Sequence, residues 1–177
     1  IIIRDFLPLE KQAESQEVCD ALFDSLRSIA LGVFLLGELS PASLDAIQGF
    51  GELWSTKILA TKLASIGIAT KWVDSRQIVR TVNKNGKNVV DMQKTYYRIN
   101  EVVENDPVTQ LFVLPGFIAS DKQGRTTTLG RGGSDYTASL YAVGCKARIL
   151  EIWTDVPGMM TSNPKAVPTA RTISHIS

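Results

Sequence analysis

Ten consecutive residues constrain this chain more than any others: Thr126-Thr127-Thr128-Leu129-Gly130-Arg131-Gly132-Gly133-Ser134-Asp135. Three β-branched threonines in a row favour an extended backbone. The glycines after them permit positive φ and let a ligand approach the main chain closely. Ser134 or Asp135 is then placed to cap a helix whose apolar side uses Ala138, Leu140, Tyr141 and Val143. A strand, a glycine turn and a helix N-terminus together make an anion site, because unpaired N–H groups and the helix dipole both point at the turn. Arg131 adds a planar fork for a carboxylate or phosphate, and Asp135 an acceptor for an amine. A ligand carrying both charges fits this pair. A well-capped turn with a surface arginine is the plainer alternative.

The rest of the chain supplies the frame. Residues from about Leu9 to Leu36 have helical periodicity, with Val18, Leu22, Leu26 and Ile29 on one side. Ser40-Pro41 reads as an N-cap followed by proline in the first turn. One helix or two follow, because Gly49 and Gly51 bracket Phe50 inside the pattern and such glycines weaken a helix unless something must come close to its backbone. Ile68 to Val73 reads as a short strand, Asp74-Ser75 as the start of a helical turn, and Asn85-Gly86 as the turn of a hairpin. Met92 to Asn105 reads as another helix. Leu111 to Leu114 is a continuous apolar run suited to a buried parallel strand, and Pro115-Gly116 ends it where open α/β sheets place their ligands. Ala147 to Trp153 reads as a further strand, followed by a loop rich in proline and glycine. This alternation predicts an α/β fold with a mainly parallel sheet.

Composition excludes several function classes. Of 177 residues, 44% are hydrophobic and 21% charged, which suits a globular domain with a real core. Nineteen basic against eighteen acidic residues leave a net charge of +1, so nothing favours nucleic acid or an anionic membrane as partner. Leu31 to Leu39 is apolar but too short to span a bilayer. The two cysteines, Cys19 and Cys145, lack metal-ligand spacing and are expected as reduced, buried thiols. A Ser/His/Asp hydrolase is excluded in practice because the one histidine, His175, sits in the tail. The glycine loop lacks the Gly-Lys-Ser/Thr ending of a Walker A sequence. The three tryptophans, Trp54, Trp72 and Trp153, are expected in packing.

Three blocks carry a family resemblance. Phe117-Ile118 with Thr126 to Ala138 resembles the signature loop of aspartate kinases, within the amino-acid kinases. Ile152-Trp153-Thr154-Asp155-Val156-Pro157-Gly158 resembles their nucleotide-binding segment, and Gly49-Phe50-Gly51-Glu52 their upstream acidic motif. The blocks keep the family's order, and the resemblance runs from about Leu36 onward. It implies a three-layer α/β/α fold with a mainly parallel sheet, here incomplete, with residues 1–177 forming part of a catalytic domain. The lysine- and glycine-bearing strand with which such kinases begin is absent from this sequence, as are the regulatory domains that follow. The chain therefore reads as an excised piece, inactive or weakly active by itself.

The resemblance also implies roles. Glu52 and Asp135 meet the amine of L-aspartate, Arg131 holds a carboxylate, and Phe117, Thr128 and Ser134 shape the pocket; Arg131 and Asp135 stand closest to the chemistry. Thr154, Asp155, Gly158, Met160 and Lys165 line the nucleotide site. Met160 stands where many relatives have tyrosine, and Lys165 where many have arginine, which replaces a bidentate fork with a point charge. The implied reaction transfers the γ-phosphoryl of ATP, with Mg²⁺, to the β-carboxylate of aspartate, the first step towards lysine, threonine and methionine. No metal is assigned to protein ligands. The parent is expected to be a homo-oligomer in the cytoplasm, or in a plastid in a plant, and Gly37 to Pro41 leans towards a fusion with homoserine dehydrogenase. Two alternatives stay open: a non-catalytic fragment that binds aspartate or an effector, and another amino-acid kinase, which Arg131, Asp135 and Glu52 together disfavour.

Overall fold

A computed structural model describes residues 1–154 and 158–175. After a short helix α1 (Ile2–Phe6), the chain forms a long helix α2 (Leu9–Leu36) that ends on Gly37 with φ 66°. A left-handed residue there stops a helix at no steric cost because glycine has no Cβ. The chain then turns back into α3 (Pro41–Ser65), whose N-cap Ser40 hydroxyl accepts a hydrogen bond from the Ser43 N–H. One uninterrupted helix therefore runs through Gly49 and Gly51. Only Gly49 has a packing reason: a Cβ there would sit 3.2 Å from Ile118 Cγ2 and 3.4 Å from Thr126 Cγ2, whereas Gly51 faces open space.

The strands form three pairs among the described residues. β1 (Thr70–Trp72) runs parallel to β4 (Leu111–Val113), with Thr70 opposite Leu111. A single helical turn, α4 (Ser75–Ile78), is capped by the Asp74 carboxylate. The hairpin β2 (Thr81–Lys84) and β3 (Lys87–Val90) turns on Asn85 and Gly86, both at positive φ, as the Asn-Gly pair predicts. Helix α5 (Met92–Glu104) follows. β5 (Ile118–Ser120) then pairs antiparallel with β6 (Thr126–Thr128), and α6 (Gly133–Gly144) closes the regular structure.

β5 is the middle of a sandwich. Its side chains alternate between faces with a period of two, and both faces are covered. Ile118 packs with Phe50 and Leu53 of α3, backed by Leu22, Leu26 and Ile29 of α2. Its neighbour Ala119 joins Val79, Val90 and Leu140, backed by Tyr96 and Tyr141. Two helices on one side, strands in the middle and α5 with α6 on the other give the α/β/α layering that the family resemblance implies.

Three expectations change. Residues 147–153 form no strand; Ile149, Leu150, Ile152 and Trp153 are 64%, 45%, 45% and 89% exposed. A strand needs a hydrogen-bonding neighbour, and none of the described strands runs beside this segment. Cys19 is buried, but Cys145 is exposed at the C-cap of α6. Trp54 and Trp72 pack as expected, Trp54 at 4.2 Å from the Phe23 ring, while Trp153 does not.

Helices α5 and α6 touch where glycine permits it. A Cβ on Gly144 would lie 2.7 Å from Ile99 Cδ1 and 2.8 Å from its Cγ2, and Ile99 is 1% exposed with nowhere to retreat. Glycine to alanine in a free helix interior gains about 1 kcal/mol; here Gly144→Ala is expected to lose about 1–3 kcal/mol through overpacking. Chemical denaturation reads the loss. Combining it with Ile99→Ala should cost less than the sum of the two single changes.

Candidate functional site

The site forms where β5 and β6 meet the start of α6. Gly116 comes against Ser134 so closely that a Cβ would lie 3.1 Å from the Ser134 Cα. The next residue, Phe117, takes φ 68°, and the Ile118 N–H bonds back to the Gly116 carbonyl at 2.7 Å. That three-residue turn is rare and strained for a residue with a Cβ. The buried Thr137 hydroxyl holds it, accepting from the Phe117 N–H at 3.0 Å while donating to the Gly133 carbonyl at 2.7 Å. The Leu129 N–H closes the other side on the Phe117 carbonyl at 2.9 Å. Gly133 is required here as well, because a Cβ would sit 2.9 Å from the Phe117 ring.

Beyond Leu129 the chain turns through Gly130 and Gly132, at φ 71° and 73°. The N-cap of α6 is Gly132, not Ser134 or Asp135, and no side chain caps this end. A left-handed glycine starts the helix two residues earlier than a Ser134 cap would and three earlier than an Asp135 cap. The consequence is chemical. Among the described residues the backbone N–H groups of Arg131, Gly132, Ser134 and Asp135 have no acceptor, and the positive end of α6 lies behind them. The exposed side chains of Arg131 and Asp135 make no hydrogen bond or ion pair among the described residues. A donor row, a fork and a carboxylate thus stand unspent on one loop.

Helix α3 lies against this loop. Its Asp45 accepts the Thr128 hydroxyl at 2.7 Å on one carboxylate oxygen and the Asn88 side-chain amide at 3.0 Å on the other. Thr128 is therefore oriented by an acid that motif reading missed. The signal was present: Asp45 precedes Glu52 by seven residues, two helical turns, and so shares its side of α3. Glu52 is half-buried beside Leu53, which packs in the cluster containing Phe117. Its carboxylate has no partner among the described residues, and burial raises its pKa above the ordinary glutamate value. An ammonium group would relieve that cost by pairing with the charged form.

Five expected residues, Phe117, Thr128, Arg131, Ser134 and Asp135, thus lie on this loop and its flanks, while Glu52 stands on α3, the helix packed against β5 and β6. The expected nucleotide residues stand apart. Asp155 lies outside the described residues. Gly158, at φ 120°, touches the Thr172 side chain, Met160 forms a bridge with Thr172, and Lys165 sits in an exposed turn on the Asn163 side-chain oxygen. Among the described residues, the hydrogen bonds of 158–175 stay within that segment. Thr154 is exposed, just after the 147–153 segment.

Several known proteins are similar to this chain in sequence and fold. The lysine-sensitive aspartokinase 3 of Escherichia coli is 38% identical over 146 residues, 78% of this chain and 31% of that protein. A chloroplastic bifunctional aspartokinase/homoserine dehydrogenase 1 of Zea mays is 31% identical over 98% of the chain and 19% of its own length. The crystal structure of E. coli aspartokinase III in complex with aspartate and ADP superposes with a TM-score of 0.80 at 34% identity, covering 89% of this chain and 35% of that one. The chain thus spans about a third or less of the length of these relatives. The model of the amino acid kinase family matches residues 5–177, and with that match over nearly its whole length this chain belongs to the amino acid kinase family.

Proposed function

We propose that this chain is part of the catalytic domain of an aspartate kinase and carries its aspartate pocket. The observation that supports this most is the set of unspent groups on one loop and its neighbouring helix: four bare N–H groups, the Arg131 fork, the Asp135 carboxylate and the half-buried Glu52. An amino acid with a second carboxylate answers all of them. Its ammonium pairs with Glu52 and Asp135, one carboxylate meets Arg131, and Thr128, Ser134 and Phe117 bound the space. The aspartate and ADP held by the E. coli aspartokinase III structure support the same reading.

In the reaction, an oxygen of the aspartate β-carboxylate attacks the γ-phosphorus of ATP in line. A new P–O bond forms as the bond to the β-γ bridging oxygen breaks, and ADP leaves with the electron pair. Such transfers are catalysed chiefly by positioning and charge compensation. The bare N–H groups and Arg131 supply that compensation here. Thr154, Asp155, Gly158, Met160 and Lys165 are assigned to the nucleotide. Mg²⁺ would accompany the nucleotide and offset the charge of its phosphates. The whole enzyme is read as a homo-oligomer in the cytoplasm, or in a plastid in a plant. Among the described residues no helix is long and apolar enough to cross a membrane.

Calorimetric titration with L-aspartate tests the pocket. Arg131→Ala and Glu52→Gln are each expected to weaken binding roughly 10- to 100-fold, as for loss of a charge-assisted contact. Heat that survives in both variants overturns the assignment. Glu52 carries a second signature. Its raised pKa means that its stability contribution is full below the ordinary glutamate value and lost as pH rises through the folded value. Glu52→Gln should therefore raise the melting temperature at neutral pH while weakening aspartate binding, and the gain should vanish in acid.

Asp45 is expected to act by orientation. Asp45→Asn removes the charged acceptor of the Thr128 hydroxyl without touching ligand. Aspartate affinity is expected to fall by roughly three- to tenfold, the cost of one misaligned hydrogen bond. Thr128→Ser should retain most affinity, because it keeps the hydroxyl. An Asp45→Asn protein that binds aspartate as the parent does removes Asp45 from the site.

A further inference from the structure

Beside Ser120 of β5, three arginines line one open hollow of about 580 Å³: Arg76 on α4, Arg80 just after it and Arg98 on α5. Arg76 spends its charge locally, donating to both oxygens of Asp74 through Nε and Nη2 and reaching the Thr126 hydroxyl through Nη1. Among the described residues, Arg80 and Arg98 pair with no carboxylate. The Arg80 guanidinium is fixed by neutral oxygens alone: the Ser120 hydroxyl at 2.6 Å, the Asp121 carbonyl at 2.6 Å and the Arg76 carbonyl at 3.4 Å. Arg98, from α5, is pinned by one nitrogen to the Gln77 carbonyl at 2.6 Å. The nearby Asp121 carboxylate is turned away, paired with Arg125.

Three guanidinium groups against the single carboxylate of Asp74 leave the hollow two positive charges in excess. Like charges held together repel, and an anion between them converts the repulsion into attraction. The donors needed are present: among the described residues Arg80 Nε and Arg98 Nε and Nη2 have no acceptor. They reach the hollow from two directions, since Arg80 lies just after α4 and Arg98 on α5. A carboxylate offers two oxygens in one plane; a tetrahedral oxyanion offers oxygens that diverge to meet donors from both elements. The carbonyl tethers also preset the arginine rotamers, so less side-chain entropy is lost on binding.

We propose that Arg80 and Arg98 form a second anion site, separate from the glycine loop, that takes a phosphate or phosphomonoester group. The proposal does not rest on the aspartate reading. Its probe is inorganic phosphate, followed by equilibrium dialysis at fixed ionic strength with no aspartate or nucleotide present. Saturable binding of one phosphate is expected. Arg98→Gln should weaken it by about tenfold, as for loss of one charge-assisted contact. Arg98 is exposed and gives up only its bond to the Gln77 carbonyl, so the variant should keep the parent's far-UV circular dichroism. Arg80→Lys, which retains the charge and loses the fork, should weaken binding as well. Arg131→Gln should leave it unchanged.

Three results overturn the proposal. One is no saturable phosphate binding to the parent chain. Another is binding lost in Arg131→Gln and kept in Arg98→Gln, which returns the phosphate to the glycine loop. The third is succinate displacing phosphate at lower concentration than sulfate does, which makes the hollow a carboxylate site. If phosphate binds as expected, glycerol phosphate competing as well as sulfate identifies a monoester site, and failure to compete identifies one for the free ion.

Discussion

One buried hydroxyl, that of Thr137, ties this structure together. It accepts from the Phe117 N–H and donates to the Gly133 carbonyl, so the strained turn into β5 and the first turn of α6 are positioned by the same oxygen. Thr137 is 2% exposed, so neither partner has water as a substitute. The bare N–H groups, Arg131 and Asp135 lie within a few residues of Gly133. Phe117 can hold positive φ because its N–H is fixed by this bond and its carbonyl by Leu129. The glycine turn can leave its N–H groups bare because its ends are held from below. Strain at a ligand loop persists when its surroundings over-determine it, and here four contacts do so: two bonds of Thr137, the Leu129 bond and the seat of Gly133 on the Phe117 ring.

Local chemistry made much of this fold legible. Ser40-Pro41, Asn85-Gly86, Asp74 and the α2 periodicity specify caps and turns through bonds made within a few residues. The structure places each of them as the sequence implies. The glycine loop was legible for the same reason. What remained hidden depends on distant partners. The continuity of α3 through Gly49 reflects Ile118 and Thr126, which lie about seventy residues further on. The part played by Asp45 depends on Thr128 and Asn88, and no local pattern reports such a bond except the two-turn offset from Glu52.

The two errors at the ends of α6 have opposite origins. At its N-terminus, Ser134 and Asp135 looked like caps because both residue types favour that position. Gly132 takes the position because only a residue without a Cβ adopts φ 73° at no cost, and the side chains of Ser134 and Asp135 are thereby left for other work. Beyond its C-terminus, Ile149 to Trp153 has the composition of a buried strand, but composition does not supply a neighbour to pair with. Apolar side chains and unpaired backbone groups in one segment are the features of a strand edge open to association.

The continuous α3 has a mechanical consequence. A helix rises about 1.5 Å per residue, so Asp45 and Glu52 are separated along its axis by roughly 10 Å. Asp45 is tied to Thr128, Gly49 rests on Ile118 and Thr126, and Glu52 follows about one helical turn later. The helix is a rigid beam with its fulcrum at Gly49. A small tilt that lifts the Ser40 end would lower the Glu52 end, changing the spacing between that carboxylate and the glycine loop. Whatever presses on the turn between α2 and α3 would thereby shift Glu52 from a distance.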